Sequence, residues 1–456
     1  MKIFSENENY KLYQGNMLDM LDVIQPNSVD SIVCDPPYEL NFMGKGWDNS
    51  GIAFQKETWQ KCFDVLKDGG YLLAFGGSRT FHRIACAIED AGFEIRDTIM
   101  WLYGSGFPKS MNIGLAIDKK NGVESIDTGI QSPNARPNCD KTNTLYESGT
   151  AGKDFTIKKA TNEWQGWGTC LKPSFEPIIV ARKPFKGSLV DNVIENGVGG
   201  LNIDECRVGN EIIKGGTMPK MNSQSDGINL YNFGKKNAER LERQDNIGRF
   251  PANTILTYDE TDFDEVCGGF PNTKSKGSNA NFEKTNQDNP THLYTNIKSG
   301  VHFEDSGSAS RYFYCAKASK KDRDEGLDEF ESKPSSKMFR TANNTSDIIS
   351  KGFERFDTKP SKNTHPTVKP TELMQYLIRL VSPNGATILD PFNGSGSTGK
   401  AVMYENKERN KNYKYIGIEL TEEYLPIAQA RIEYVYNLPK EKDPQLTIFD
   451  LEENNE

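Results

Sequence analysis

"ILDPFNGSGSTGKAV", residues 388 to 402, passes from an apolar strand through a glycine-rich turn into a helix. The strand ends at Asp390, and Gly394, Gly396 and Gly399 allow a tight turn with close backbone approach before a helix that begins near Ser397 or Thr398. A nucleotide-like ligand fits such a turn. Glu419 closes the next strand, in "YIGIEL", where an acid can take both ribose hydroxyls of an adenosine. Structural glycines explain many isolated matches of this kind; the turn, the strand-end acid and the βαβ spacing together favour a nucleoside cofactor. The G-x-x-x-x-G-K-[ST] spacing of an ATP-binding loop is missing, and although the turn alone would suit NAD, nothing else in the chain resembles a hydride-transfer site.

A second strand end carries different chemistry. "SIVCDPPYEL", residues 31 to 40, places Asp35 where a short buried strand leaves its sheet, at the edge where ligands bind. Pro36 and Pro37 cannot donate backbone hydrogen bonds; they stiffen the segment and leave its carbonyls free to accept. A carboxylate and a carbonyl beside the Tyr38 ring suit a planar group with an exocyclic amine. A strand end followed by a proline turn and an exposed tyrosine reads equally well from these four residues alone. With the glycine turn they favour S-adenosylmethionine: one strand end holds a methyl donor, the other an amine to be methylated.

The 456 residues, 36% of them hydrophobic, supply core for one large α/β body with an insertion. Eight scattered cysteines, with no C-x-x-C pair and only four histidines, indicate neither a zinc site nor a disulfide framework. No metal is expected. The start of the chain has no signal-like apolar region and no run reaches membrane length, so a soluble, cytoplasmic protein with no membrane association is expected. The net charge of −9 disfavours broad nucleic-acid binding without excluding a local basic surface.

Three zones and a tail follow from periodicity. Over 1–183, strand-like runs ("SIVC", "YLLAF", "IRDTIMW", "PIIVA") alternate with helical patterns such as "RTFHRIACAIEDAG", an α/β signature. Over 184–363 the polar tracts bury too little to order themselves unaided, and a partly flexible insertion is expected. Periodicity returns over 364–437, and 438–456 is an acidic tail.

"DPPY" together with "DPFNGSGS" resembles the amino-methyltransferases that modify N6 of adenine or N4 of cytosine in DNA. Catalytic motif first and glycine motif last is similar to their β class, and the likeness runs through "LKPSFEPIIVARKP", "SRYFYCAKASKKDRDEG" and "HPTVKPTELM" to near Tyr436. It resembles methylases carried by phages and prophages, some of them in restriction-modification systems. The resemblance implies a circularly permuted, Rossmann-like methyltransferase sheet with a large inserted target-recognition region, double-stranded DNA as partner, and S-adenosylmethionine as cofactor. It implies that Asp35, Pro36, Pro37 and Tyr38 hold the target base. Asp19, Asp390, Phe392, Gly394, Gly396, Ser397, Thr398 and Glu419 would border the cofactor, with Thr367 and Lys369 near its methionine carboxylate. In this family Asp at position 35 leans toward adenine. N4-cytosine methylation, or a catalytically silent DNA-binding protein with the same fold, are the alternatives.

"SRYFYCAKASKKDR", residues 310 to 323, sets five basic residues against one acid and interleaves aromatics; Arg311, Lys317, Lys320 and Lys321 are candidate DNA contacts. "GSGFPKS", residues 104 to 110, is a second candidate. In the tail, Gln445 to Phe449 ("QLTIF") resembles peptides that dock on bacterial sliding clamps. A homodimer is also compatible with the sequence.

Overall fold

The computed structural model describes residues 2–40, 48, 50–103, 110–131, 156–213, 217–219, 240–242, 245–258, 272–275, 305–308, 312–317, 320–332 and 361–439. Ten strands form one sheet: β1 (Lys2–Glu6), β2 (Tyr10–Gln14), β3 (Val29–Cys34), β4 (Leu66–Phe75), β5 (Glu94–Tyr103), β6 (Phe175–Arg182), β7 (Thr254–Tyr258), β8 (Tyr314–Lys317), β9 (Thr387–Asp390) and β10 (Lys414–Glu419). Their spatial order is β1-β2-β10-β9-β3-β4-β6-β5-β7-β8. The run from β2 to β4 is parallel, β6 lies antiparallel to both its neighbours, and β1 is antiparallel to β2. This is the permuted α/β sheet expected from the order of motifs: β9, late in the chain, sits at the centre beside β3.

Burial explains the strand sequences. All six residues of β3 are buried, so its second half, Ile32 to Cys34, is apolar without alternation, while Asp30 and Ser31 are paired with Lys67 and Ser382. Its side chains still divide between two cores. Ile32 and Cys34 join Leu72 and Ala74 of β4 on one face, with helices α1 (Lys56–Val65) and α2 (Phe81–Asp90) packed there through Trp59, Ile84 and Ile88. Val33 faces the other side with Tyr71 and Leu73, under α3 (Thr371–Val381), α4 (Ser397–Glu408) and α5 (Leu425–Asn437). A sheet covered by helices on both faces results.

The chain leaves β3 toward β4 on one side and leaves β9 toward β10 on the other. The strand order therefore reverses between β3 and β9, and a crevice at such a reversal is where open α/β sheets bind ligands.

Two boundaries differ from the sequence expectation. The middle region is not wholly an insertion: "TILTY" and "YCAK" extend the main sheet as β7 and β8, parallel to β5 and to each other. The β-branched Thr254, Ile255 and Thr257 suit β7 to pair once the β5 edge exists, and β8 then adds to β7, although short runs in a polar zone carry little periodicity. A separate compact unit spans Ser105–Ser174, inside the stretch read as part of the catalytic domain. In it, helix Ile113–Lys120 is N-capped by Asn112, and Asp118 accepts hydrogen bonds from Thr161 and Asn162. Arg311, most of 104–110, and Gln445 to Phe449 lie outside the described residues. Among the described residues no helix is long and apolar enough to cross a membrane.

Candidate active site

Asp35 follows the last residue of β3, and Pro36 behind it is buried. The turn is fixed by Thr80, whose hydroxyl donates to the Tyr38 carbonyl at 2.8 Å. Tyr38 in turn donates its phenol to Glu176 Oε2 at 2.7 Å, and Tyr103 donates to Glu176 Oε1 at 3.5 Å. Lys369 completes the cluster. Its Nζ donates to Asp35 Oδ2 at 2.7 Å, stands 3.5 Å from Glu176 Oε2, and lies 5.3 and 5.0 Å from the centres of the Tyr38 and Phe75 rings.

Two carboxylates thus share one ammonium in a largely dry site. Burial pushes the Asp35 carboxyl above its ordinary range, against the opposing pull of the Lys369 charge. Burial works against the Lys369 charge too, yet Asp35 and Glu176 together hold it above its ordinary value, so it stays an ammonium. Asp35 Oδ1 is buried and has no hydrogen-bond partner among the described residues. A buried acceptor left open is costly in a resting protein and apt for a donor that arrives with a ligand.

The glycine turn is built as tightly as its composition requires. Gly394 and Gly396 have φ of 51° and 76°, and a Cβ at Gly396 would come within 2.9 Å of the Ala428 Cβ on α5. Arg431, fully buried, donates to the Ser395 carbonyl at 2.7 Å and to the Ser397 hydroxyl at 3.2 Å. Asp390 closes the turn from below: it accepts from the Phe392 N–H at 3.0 Å and from the Thr398 hydroxyl at 2.6 Å. Burial lifts its carboxyl to about 7. Glu419, at the end of β10, accepts from the N–H groups of Gly394 and Thr421, each at 2.7 Å, and burial raises its carboxyl as well. A positive-φ turn with a carboxylate fixed at its rim fits a ribose and adenosine better than a bare phosphate, which would be repelled by that acid.

Most of the residues singled out in the sequence come together at these strand ends: Asp35, Pro36, Pro37, Tyr38 and Lys369 around one, Asp390, Phe392, Gly394, Gly396, Ser397, Thr398 and Glu419 around the others. Phe392 is half-buried, 6.2 Å from the Trp59 ring. Two placements differ from expectation. Asp19, expected beside the cofactor with the strand-end residues, is exposed on a one-turn helix, Met17–Met20, capped by Asn16, after β2 has stopped at Gln14. It is Gly15 that reaches Glu419, its N–H donating to the Glu419 carbonyl at 2.9 Å. Lys369 has Asp35 and Glu176 as partners, whereas the expected neighbour was the cofactor's carboxylate; Thr367 is exposed.

The basic segment is tied inward at its end. Asp322 pairs with the fully buried Lys400 at 2.5 Å and accepts from the N–H and hydroxyl of Thr371 at 2.8 and 2.6 Å. Arg323, counted among the surface charges, instead donates to the His365 carbonyl at 2.7 Å. Lys317 lies in β8 and Lys320 and Lys321 in the short helix Lys320–Asp324.

Glu176 escaped the sequence reading. Its signal was present in "KPSFEPIIVA": a lone acid between prolines at the entry of an apolar strand, in a register that allows no exposed face. Among the described residues no cluster of His, Cys, Asp and Glu could hold a metal ion.

A family model described as DNA methylase, of the N6/N4 type, matches residues 29–430. The Type II methyltransferase M.HindIII of Haemophilus influenzae is 26% identical over 150 residues, 32% of this chain and 37% of that protein. The chain thus spans little more than a third of that relative. The Type II methyltransferase M2.LlaDCHI of Lactococcus lactis is 25% identical over 44% of this chain and 82% of its own length. Among solved structures, the M1.HpyAVI–SAM complex aligns over 94% of this chain and 100% of that one, with 14% identity and a TM-score of 0.36. The cytosine-N4-specific PvuII DNA methyltransferase covers 99% of this chain and 96% of its own, with 11% identity and a TM-score of 0.39.

Proposed function

The chain belongs to the DNA methylase family whose model spans residues 29–430, and from that premise we propose that it transfers a methyl group from S-adenosylmethionine to the N6 amine of an adenine flipped out of duplex DNA at a specific site. The observation that carries the reading is the open, buried Oδ1 of Asp35 beside the Tyr38 ring, one strand away from the glycine turn.

At the turn, Glu419 would hold the cofactor's ribose while Phe392, Gly394 and Gly396 border it. The cofactor would supply a methyl group on a sulfonium, whose neutral thioether is already a good leaving group. The protein's task is then orientation and charge. An aromatic amine is a poor nucleophile because its lone pair is conjugated into the ring. Hydrogen bonds from its two N–H groups to Asp35 and the Pro36 carbonyl favour rehybridisation and aim the lone pair. Stacking on Tyr38 offsets part of the few kcal/mol that flipping a base costs. No strong general base is required.

A cytosine N4 amine offers the same two N–H bonds and is the second reading; Asp at position 35 leans toward adenine in this family. The test is incubation of the full chain with labelled cofactor and amplified, hence unmodified, DNA of mixed sequence, followed by digestion to nucleosides. N6-methyldeoxyadenosine is expected. N4-methyldeoxycytidine would assign the second reading, and no transfer at all would refute both.

A further inference from the structure

We propose that Glu176 is a positioning residue for this reaction, the second resting place of the Lys369 ammonium, which leaves Asp35 for Glu176 when a target amine arrives. The inference rests on the amine-methylation reading above and adds to it a residue and a movement.

Three observations carry it. Lys369 is 6% exposed, so its charge needs a counter-ion at every stage of the cycle. It has two to choose from: Asp35 Oδ2 at 2.7 Å and Glu176 Oε2 at 3.5 Å. Glu176 is also anchored from elsewhere, by the Tyr38 and Tyr103 phenols, so it keeps its place when Asp35 is engaged.

The open Oδ1 can take the amine with the lysine still on Oδ2, but the chemistry favours moving the ammonium away. A carboxylate already holding a lysine is a weaker acceptor for an amine. Methyl transfer also places positive charge on the amine nitrogen until its proton passes to Asp35, whose Oδ1 accepts that N–H, and from there to solvent; a second cation on the same carboxylate opposes that charge and that transfer. Retreat of Nζ to Glu176 relieves both effects while leaving no buried charge alone. The sliding distance is short, because both partners are already near Nζ. Tyr38 shares the Glu176 oxygen that would receive the lysine, so the movement also reports to the ring on which the base stacks.

The test compares single-turnover rates on amplified DNA at saturating cofactor. Glu176→Gln is expected to slow transfer about 100-fold, the scale for an ion held at hydrogen-bond range in a partly dry site, with cofactor affinity by calorimetry within about threefold of wild type. Removing the lysine as well should help: Glu176→Gln/Lys369→Met is expected to be at least about tenfold faster than Glu176→Gln alone, because nothing remains to be handed over. A double variant no faster than the single would reduce Glu176 to a prop for Tyr38 and overturn the proposal. So would an unimpaired Glu176→Gln, or a Lys369→Met that loses cofactor affinity tenfold or more, which would send the lysine to the cofactor instead. If Glu176→Gln does not fold, Glu176→Asp takes its place: its shorter arm slows transfer, and Lys369→Met either restores the rate or overturns the hand-over. A wild-type protein with no methyl transfer to DNA would instead remove the underlying reading.

Discussion

Asp35 and Asp390 stand at the ends of neighbouring parallel strands, with Leu389 in register with Ile32, and their carboxyls are held in opposite ways. Both oxygens of Asp390 are satisfied within its own turn, by Phe392 and Thr398. Asp35 has one oxygen on Lys369 and the other open. One acid closes the glycine turn; its neighbour keeps a buried oxygen open.

That difference has a pH signature. The folded-state Asp390 carboxyl sits at about 7, against an ordinary value of 3.8, because burial disfavours its charge. The folded protein therefore keeps a proton that the unfolded chain has already lost between those values. Its contribution to stability is complete below about pH 4 and is lost as pH rises through 7. Asp390→Asn, neutral at every pH, should gain on wild type by roughly 1–3 kcal/mol between pH 5 and pH 8 in urea unfolding of the free protein. A gap that does not change with pH would contradict the assignment.

Glu419→Ala should weaken S-adenosylmethionine binding by about 1.5–3 kcal/mol, the scale for hydrogen bonds to a charged group. The same change frees the Gly394 N–H, so some loosening of the turn is included in that figure. Calorimetry decides it; unchanged affinity would take Glu419 out of the cofactor site.

Asp322→Ala should destabilise the fold by about 3–5 kcal/mol, because it strips a counter-ion from buried Lys400 and weakens the charge balance of Arg431, 3.8 Å away. Chemical denaturation measures this directly. A cost below about 1 kcal/mol would mean that Glu325, 2.8 Å from Lys400, suffices alone.

The glycine turn, Asp35 and Glu419 were legible in the sequence because each depends on its own neighbours: a strand end, a positive φ, a pair of prolines. Lys369 was visible as a residue but not in its partnership, since Asp35 and Glu176 reach it from two other strands far away in the chain. Glu176 was missed for the same reason. Asp322 and Arg323 read as part of a basic surface stretch because charge counting along the chain cannot see that they turn inward to Lys400 and His365. Strands β7 and β8 were hidden by brevity; β7 is stabilised by the edge of β5 and β8 by that of β7, not by any periodicity of their own.

The remaining lysines of that segment keep their proposed role at DNA. Replacing Lys317, Lys320 and Lys321 with Ala should weaken binding evenly across sequences and flatten the dependence of log affinity on log salt, by about 0.9 for each phosphate no longer neutralised. Titration of duplex DNA at several salt concentrations tests this, and an unaltered slope would place the DNA-facing surface elsewhere.

The central claim is that Asp35 presents the target amine for methylation. Its most direct test is nucleoside analysis of DNA treated in parallel with wild type and Asp35→Ala, with cofactor affinity measured for both. N6-methyldeoxyadenosine from the wild type, none from the variant, and cofactor affinities within about threefold of each other are the expected result, since the glycine turn is fixed by Asp390 and Glu419 and not by Asp35. Methylation by Asp35→Ala at the wild-type rate would contradict the claim.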